Sequence, residues 1–186
     1  MNNSFEFLLS KVRDSILCKY FLPNARITLK EDDVNGIDIL SNIDNIDTKY
    51  ISLNNNGYAW FEKNKLDDPS IKTTRLMIFL RNSSGITEYI DANKDEILNM
   101  LNHALSLKNK QICYLKSSTN DKINSYGDIY YDELCFLKYD WIKQYYPNII
   151  KSLPLNITQK FKAAFHKLCK MTDDKMQRYI NEFIAK

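Results

Sequence analysis

The chain has 186 residues, of which 44% are hydrophobic and 26% charged, as is ordinary for a folded globular protein of one domain. Its 26 basic and 23 acidic residues leave a net charge of +3, which permits nucleic-acid binding through a local patch without indicating it. The chain lacks both an apolar run of about 18 residues and a secretory amino terminus, so the sequence predicts a cytoplasmic protein with no membrane span.

The cysteines and histidines show no metal-binding spacing. The four cysteines are far apart in apolar surroundings and form no CxxC pair, and neither histidine has a ligand-type neighbour. We therefore expect all four cysteines to be buried free thiols in a reducing compartment: Cys18, Cys113, Cys135 and Cys169. No GxGxxG, P-loop or GxSxG motif occurs, so the sequence predicts no nucleotide cofactor and no serine hydrolase.

The first part of the chain predicts one helix and three short strands. Apolar residues recur at helical spacing over residues 5–20. The other face of this helix is expected to carry its charged residues: Lys11, Arg13, Asp14 and Lys19. Residues 26–30, 37–40 and 49–53 read as strands, and their connections are too short for helical crossovers. We therefore expect these three strands to form an antiparallel meander.

The middle of the chain predicts the centre of the sheet. Residues 75–80 (RLMIFL) form the most apolar run and are expected to be a central strand buried on both faces. After a polar turn, residues 86–90 are expected to return as its partner strand. Upstream, the aromatic residues 58–61 form a strand or begin a short helix, and the polar residues 63–74 read as a loop.

The rest of the chain adds mainly helices. Residues 93–107 carry a clean apolar stripe at helical spacing, and 111–115 read as another strand. Residues 128–146 alternate at first and then follow helical spacing. Two helices follow from about residue 157, and the first has a basic face: Lys160, Lys162, Lys167 and Lys170. Such a pair could be a helix-turn-helix placed on DNA, but an αα-hairpin packed on the sheet is favoured.

These elements predict an α/β (α+β) fold class with a mixed, mostly antiparallel central sheet flanked by helices. We expect a core domain over residues 1–156 and a C-terminal helical hairpin over residues 157–186 that packs on the core.

Two neighbouring predicted strands carry carboxylates that could act together. Asp38 lies in the second strand, and the Asp47-Thr48-Lys49 sequence opens the third. Metal-dependent phosphodiester hydrolysis needs acidic oxygens that hold the cation. Because side chains alternate along a strand, Lys49 points to the same face as Asp47 and could orient a water or stabilise negative charge. Asp-x-Lys also occurs at Asp173, so the context of adjacent strands behind a helix carries this prediction.

This layout resembles the PD-(D/E)xK nuclease superfamily over about residues 5–115. The resemblance implies that Asp38 and Asp47 bind Mg²⁺ and that Lys49 orients the attacking water, the three being the catalytic residues. In that family the first helix often adds a carboxylate, and Glu6 is the candidate here. The implied function is a metal-dependent nuclease acting on DNA phosphodiesters. The sequence does not give the oligomeric state, but a homodimer would suit such an enzyme, because cleavage of both strands of a duplex usually takes two sites related by a twofold axis.

Basic residues after the hairpin could bind the phosphates of DNA: Lys63, Lys65, Arg75 and Arg81. Tyr58 and Trp60 lie nearby and could stack on bases, although a core position for the aromatic rings and a solvated loop for the lysines are favoured.

A different class of function remains open. The chain would then be a non-catalytic accessory protein of a phage, plasmid or virus that binds a protein or nucleic-acid partner. Its contact surface would be aromatic and exposed: Tyr58, Trp60, Tyr145 and Tyr146. In that case the acidic hairpin would be solvated. The nuclease hypothesis instead predicts that Asp38, Asp47 and Lys49 converge in a cleft.

Overall fold

The apolar run near the middle of the chain is the central strand of a six-stranded sheet. The structure is a computed structural model, and it describes residues 3–28, 36–117, 122–123, 129–130 and 133–185. The strands are β1 (Arg26–Ile27), β2 (Ile39–Leu40), β3 (Asn45–Ile51), β4 (Tyr58–Glu62), β5 (Arg75–Asn82), β6 (Gly85–Asn93), β7 (Cys113–Ser117), β8 (Lys122–Ile123), β9 (Ile129–Tyr130), β10 (Glu133–Lys138) and β11 (Ile150–Ser152). The helices are α1 (Asn3–Tyr20), α2 (Lys63–Asp67), α3 (Lys94–Ser106), α4 (Tyr139–Tyr145), α5 (Leu155–Cys169) and α6 (Asp173–Ala185).

The main sheet has the order β1-β2-β3-β5-β6-β11, and all its neighbours are antiparallel except β3 and β5. This confirms the predicted mixed, mostly antiparallel sheet flanked by helices, and the predicted meander over β1, β2 and β3. The chain leaves β3, passes through β4 and α2, and returns as β5 beside β3. This long connection allows the two strands to be parallel.

A second sheet covers one face of the first, which the sequence did not predict. It has the order β4-β10-β7, with all pairs antiparallel. Its strands are far apart in the sequence. Leu76, Ile78 and Leu80 of β5 pack in one core with β4, β10 and α3, whereas Met77 and Phe79 pack in another with α1 and α5. Strand β5 is thus buried on both faces, as predicted, because its alternate side chains enter two separate cores.

Helix α1 has charged residues on a buried face, contrary to the expectation that they lie opposite its packing face. Lys11, Arg13 and Asp14 are buried, and of the expected set only Lys19 is exposed. The reason is that α1 packs against several elements, since the sheet, α5 and α6 all contact it. The contact with the two C-terminal helices is apolar: Leu8, Leu9, Leu168, Met176 and Ile180.

Some predicted boundaries are wrong. Strand β3 begins at Asn45, four residues before the predicted start at 49, so Lys49 lies in the middle of its strand. Apart from the buried Ile46, the residues before Lys49 are polar, and their pairing with β2 and β5 makes them extended. The predicted loop 63–74 contains helix α2, and the strand predicted from 111 begins at Cys113.

The four cysteines are free thiols, but they are not all buried as expected. Cys113 and Cys135 are buried on neighbouring strands β7 and β10, with their sulfur atoms 3.4 Å apart. Cys18 is half-buried and Cys169 is exposed at the end of α5. Helix periodicity could not place Cys169, because α5 has a solvent-exposed face along most of its length.

Candidate active site

Asp38, Asp47 and Lys49 converge in one cleft of about 150 Å³. The cleft lies on the face of the main sheet that the second sheet covers, and side chains of β4 and α2 form its far wall. Its polar lining includes Glu62, Lys65 and Lys94, and Trp60 contributes an aromatic wall. The three residues thus come together as the nuclease hypothesis predicts.

The alternation of β3 divides its polar side chains between two environments. The parallel register pairs Asp47 with Leu76 and Lys49 with Ile78 of β5, on the face of the cleft. The intervening Thr48 is buried on the other face, next to α1. A strand of period two therefore presents the acid and the lysine to the same cleft.

Asp38 lies immediately before β2, at the point where the chain joins the edge of β3. Gly36 has a φ of +78°, and its carbonyl accepts a hydrogen bond from the hydroxyl of Thr73. The backbone N–H of Asp38 still donates to Ile46 O at 2.8 Å. The next N–H group of β3 along this edge bonds to the side chain instead: Oδ2 of Asp38 accepts a hydrogen bond from the backbone N–H of Thr48 at 2.9 Å. The backbone and the side chain of Asp38 are therefore each held by a main-chain group of β3.

Asp38 and Asp47 both line this cleft, and their carboxyl groups interact electrostatically. Burial raises the pKa of Asp47 well above its ordinary value. The ammonium of Lys49 opposes this rise, whereas the negative charge and the hydrogen bond of Asp38 add to it. A cation between the two carboxyl groups would reduce their repulsion, in addition to the ammonium of Lys49.

Lys49 is held between two carboxylates. Its Nζ lies 2.5 Å from Oε1 of Glu62 and 3.9 Å from Oδ1 of Asp47. Burial alone would lower the pKa of Lys49, but the charges of Asp47 and Glu62 outweigh it and raise the pKa. Glu62 also accepts Lys65 Nζ at 2.8 Å. Burial opposes ionisation of Glu62, yet the two lysines lower its pKa to about 2, so this network is charged at neutral pH.

Asp14 is a member of the cluster that the sequence reasoning missed. It is 2% exposed, and its Oδ1 accepts the hydroxyls of Tyr50 at 2.7 Å and Thr48 at 2.8 Å. Burial raises its pKa to about 7, and the negative charge of Asp38 adds to this rise. A signal was present, because Asp14 precedes the buried Leu17 by three residues and such residues share a helix face.

Glu6, predicted as the helix carboxylate, lies at a neighbouring cleft. This outer cleft has a volume of about 330 Å³ and shares Asp38 and Lys49 with the first one. Asp14 also lines it. Helix α1 therefore brings two carboxylates to the site. The more deeply buried of the two, Asp14, contacts Thr48 and Tyr50 of β3.

Glu62 had no local sequence signal. It ends an aromatic strand, and β4 belongs to the second sheet rather than to the one that holds Lys49. Only the packing of one sheet on the other brings the two residues into contact.

The residues predicted to bind nucleic acid do not form one groove. Lys65 lines the cleft, and Lys63 pairs with Asp67 at 2.6 Å on the same short helix. Arg75 makes two hydrogen bonds to Asp91, at 2.8 and 2.7 Å. Lys63 and Arg75 are therefore paired with acidic neighbours outside the cleft, and of these three residues only Lys65 lines it.

Arg81 lies in a different pocket, together with Arg13 of α1 and residues of α5. This pocket is on the face of the main sheet that carries α1 and α5, opposite the acidic cleft. Arg81 therefore cannot contact the same phosphate as Lys65.

The predicted aromatic surface is divided in the structure. Tyr58 is buried, and its hydroxyl donates to Gln111 O at 2.5 Å. Trp60 is half-buried at the cleft. Tyr145 is exposed, and the hydroxyl of Tyr146 lies 2.6 Å from Nδ1 of His103. Tyr58 thus belongs to the core, as favoured, and does not contribute to an exposed surface.

Within the part of the chain that the structure describes, no helix is long and apolar enough to cross a membrane.

Comparisons with family models, curated proteins and solved structures gave no match to this chain. A functional assignment therefore depends on the geometry of the site itself.

Proposed function

We propose that this protein is a metal-dependent nuclease that hydrolyses DNA phosphodiesters and resembles the PD-(D/E)xK superfamily. The observation that carries the proposal is the convergence of Asp38, Asp47 and the ammonium of Lys49 in one cleft, where Lys49 Nζ lies 3.9 Å from Asp47 Oδ1. Asp38 immediately precedes β2, Asp47 lies on the neighbouring strand β3, and Lys49 follows Asp47 on the same face of that strand, as the lysine does in that family.

The donor set fits Mg²⁺. The described residues contain no group of three or more His, Cys, Asp or Glu side chains arranged to hold a metal ion by themselves. Mg²⁺ commonly binds through one or two carboxylates and keeps waters or substrate phosphates as its other ligands. Asp38 and Asp47 would supply those carboxylates, and a cation there would offset the repulsion between them. When bound, the ion supplies polarisation of the phosphate and a lower pKa for a bound water.

Lys49 is the residue that would act on the reacting groups. Its ammonium remains protonated because two carboxylates flank it. A fixed positive charge next to the acid pair stabilises negative charge that develops on the phosphate, without reorganising during the reaction. Glu62 holds this ammonium by a 2.5 Å contact and is therefore a positioning residue.

The rest of the cleft suits a nucleic-acid substrate. Lys65 and Lys94 line it and can contact phosphate oxygens. The half-buried ring of Trp60 offers a face on which a base can stack.

The test combines Mn²⁺ titration calorimetry with a plasmid-nicking assay. We compare the wild type with Asp38→Asn/Asp47→Asn, in which the packing volume is kept and the charge removed. The matched control is Asp173→Asn, which alters the exposed second Asp-x-Lys of the chain. We expect the double variant to lose metal binding and nicking together and the control to retain both. Wild-type protein that neither binds Mn²⁺ nor nicks DNA would overturn the proposal and favour a non-catalytic binding function.

A further inference from the structure

A second pocket, of about 390 Å³, lies on the opposite face of the main sheet from the acidic cleft. We call it the basic pocket and define it by four residues: Arg13 of α1, Arg81 of β5, and Lys162 and His166 of α5. Its apolar wall is formed by Ile86, Phe161 and Phe165. Among the described residues that line it, none is Asp or Glu, so the pocket has no internal counter-charge.

Two guanidinium groups in this pocket have a buried nitrogen atom without a hydrogen-bond partner. Arg13 is only 6% exposed, and its one described contact is with the ring of Tyr50, 4.9 Å from the guanidinium carbon. In the described part of the chain neither Arg13 nor Arg81 forms an ion pair, and the Nε of each is buried without a hydrogen bond. Burial lowers the pKa of Arg13 and the positive charge of Arg81 lowers it further, whereas Tyr50, Glu6 and Asp14 oppose this shift without cancelling it. The two arginines are therefore close enough to repel each other.

Such an arrangement is unfavourable unless something neutralises it. A buried charge without a partner costs folding free energy, and two like charges add repulsion to that cost. An anion bound in the basic pocket would remove both costs.

The walls of the basic pocket are held by specific contacts. Gly85 has a φ of +102°, and a Cβ built there would lie 2.7 Å from Cε of Lys162. Glycine thus lets the lysine stem pass over the turn between β5 and β6. The buried hydroxyl of Thr158 donates to Ile86 O at 2.6 Å and fastens α5 to the same turn. The stem of Lys162 therefore lies against Gly85 at the wall of the pocket.

We propose that the basic pocket binds a phosphate group. Guanidinium groups match phosphate oxygens with paired hydrogen bonds, and the lysine ammonium adds a mobile donor. The ring of Phe165, 39% exposed, provides a surface for the sugar or base attached to that phosphate. The phosphate could be that of a free nucleotide or orthophosphate, or one in a nucleic-acid backbone. This site needs no metal and does not depend on the nuclease proposal.

The test is isothermal titration calorimetry in the presence of EDTA, so that the acidic cleft holds no divalent cation. The probes are orthophosphate, thymidine 5′-monophosphate and a thymidine oligonucleotide of about ten residues without a terminal phosphate. The variants are Arg81→Gln and Lys162→Gln. Lys162 is exposed, so its variant keeps the test valid even where loss of Arg81 impairs folding. Lys167→Gln is the matched control, because Lys167 is an exposed lysine of the same helix that does not line the pocket.

We expect at least one probe to bind the wild type, with affinity about tenfold weaker in Arg81→Gln and in Lys162→Gln and unchanged in Lys167→Gln. Binding of orthophosphate or the mononucleotide identifies a free phosphate, and binding of the oligonucleotide alone identifies a backbone phosphate. No binding by any probe, or equal affinities in the three variants, would overturn the inference. Nuclease activity does not enter this readout, so either proposal can fail without the other.

Discussion

The ammonium of Lys49 lies 2.5 Å from the carboxylate of Glu62, although the two residues belong to different sheets. The packing of the second sheet on the first therefore fixes the orientation of the lysine. A lysine on the strand alone would keep its rotamer freedom, which costs free energy to restrict at the moment of reaction. The cleft therefore depends on residues from both sheets.

Glu62→Gln should slow DNA nicking by about tenfold or more while Mn²⁺ affinity changes by less than about threefold. The glutamine removes the charge that holds Lys49 but leaves Asp38 and Asp47 in place. Because Glu62 helps to raise the pKa of Lys49, the alkaline limb of the pH–rate profile should also move to lower pH. Nicking rates across pH and calorimetric Mn²⁺ titration measure these effects. Asp67→Asn, which breaks an exposed pair on α2, is the control and should leave all three quantities unchanged.

Lys49→Met should abolish nicking and lower the free energy of unfolding by about 1–3 kcal/mol, since it leaves Glu62 with only Lys65 as partner. The double variant Lys49→Met/Glu62→Gln also removes the carboxylate that has lost Lys49 as a partner. Its loss of stability should therefore be smaller than the sum of the two single losses. Urea unfolding of the four proteins gives this coupling energy. Strict additivity would show that the contact is not formed in solution.

Asp14→Asn should flatten the pH dependence of stability. The pKa of Asp14 is raised from its ordinary 3.8 to about 7, so the folded state binds the proton more tightly than the unfolded state. Its contribution to stability is therefore present below about pH 4 and is lost as the pH rises to about 7. Asparagine keeps an oxygen for the hydroxyls of Thr48 and Tyr50 but cannot ionise.

The measurement is urea unfolding at about pH 5 and about pH 8. We expect Asp14→Asn to be more stable than the wild type at the higher pH and to lose less stability between the two. Asp14→Ala, which removes the acceptor as well, should be less stable than Asp14→Asn at both values. An asparagine variant whose stability changes with pH as steeply as that of the wild type would contradict the assignment.

Thr48→Val should lower the free energy of unfolding by about 1–2 kcal/mol, although the two side chains have the same shape. The hydroxyl of Thr48 donates to the buried carboxylate of Asp14, and valine leaves that acceptor with one donor fewer. The backbone N–H of Thr48 still donates to Asp38, so Mn²⁺ affinity should be retained. Thr87→Val, at an exposed position of β6, is the matched control and should change stability little.

The fold could be predicted from the sequence where local pattern and tertiary packing agree. The apolar run 75–80 predicted the central strand, because a strand that is buried on both faces carries apolar residues on both faces. The helix predicted over 93–107 spans Lys94–Ser106, and Asn93 and Glu96 form the capping box at its start. Strand β3 was placed four residues late, because its first residues are polar except for Ile46 and become extended through pairing with β2 and β5.

The candidate site divides in the same way. By itself, the sequence determined the two carboxylates and the lysine on one hairpin, since the two-residue period of a strand fixes which side chains share a face. Only the tertiary structure decided that Asp14 and Glu62 complete the cluster and that Arg13 and Arg81 form a separate basic pocket. Those contacts join residues from different helices and sheets. How the layers pack decides which residues meet, and the local sequence around each residue does not indicate its partner.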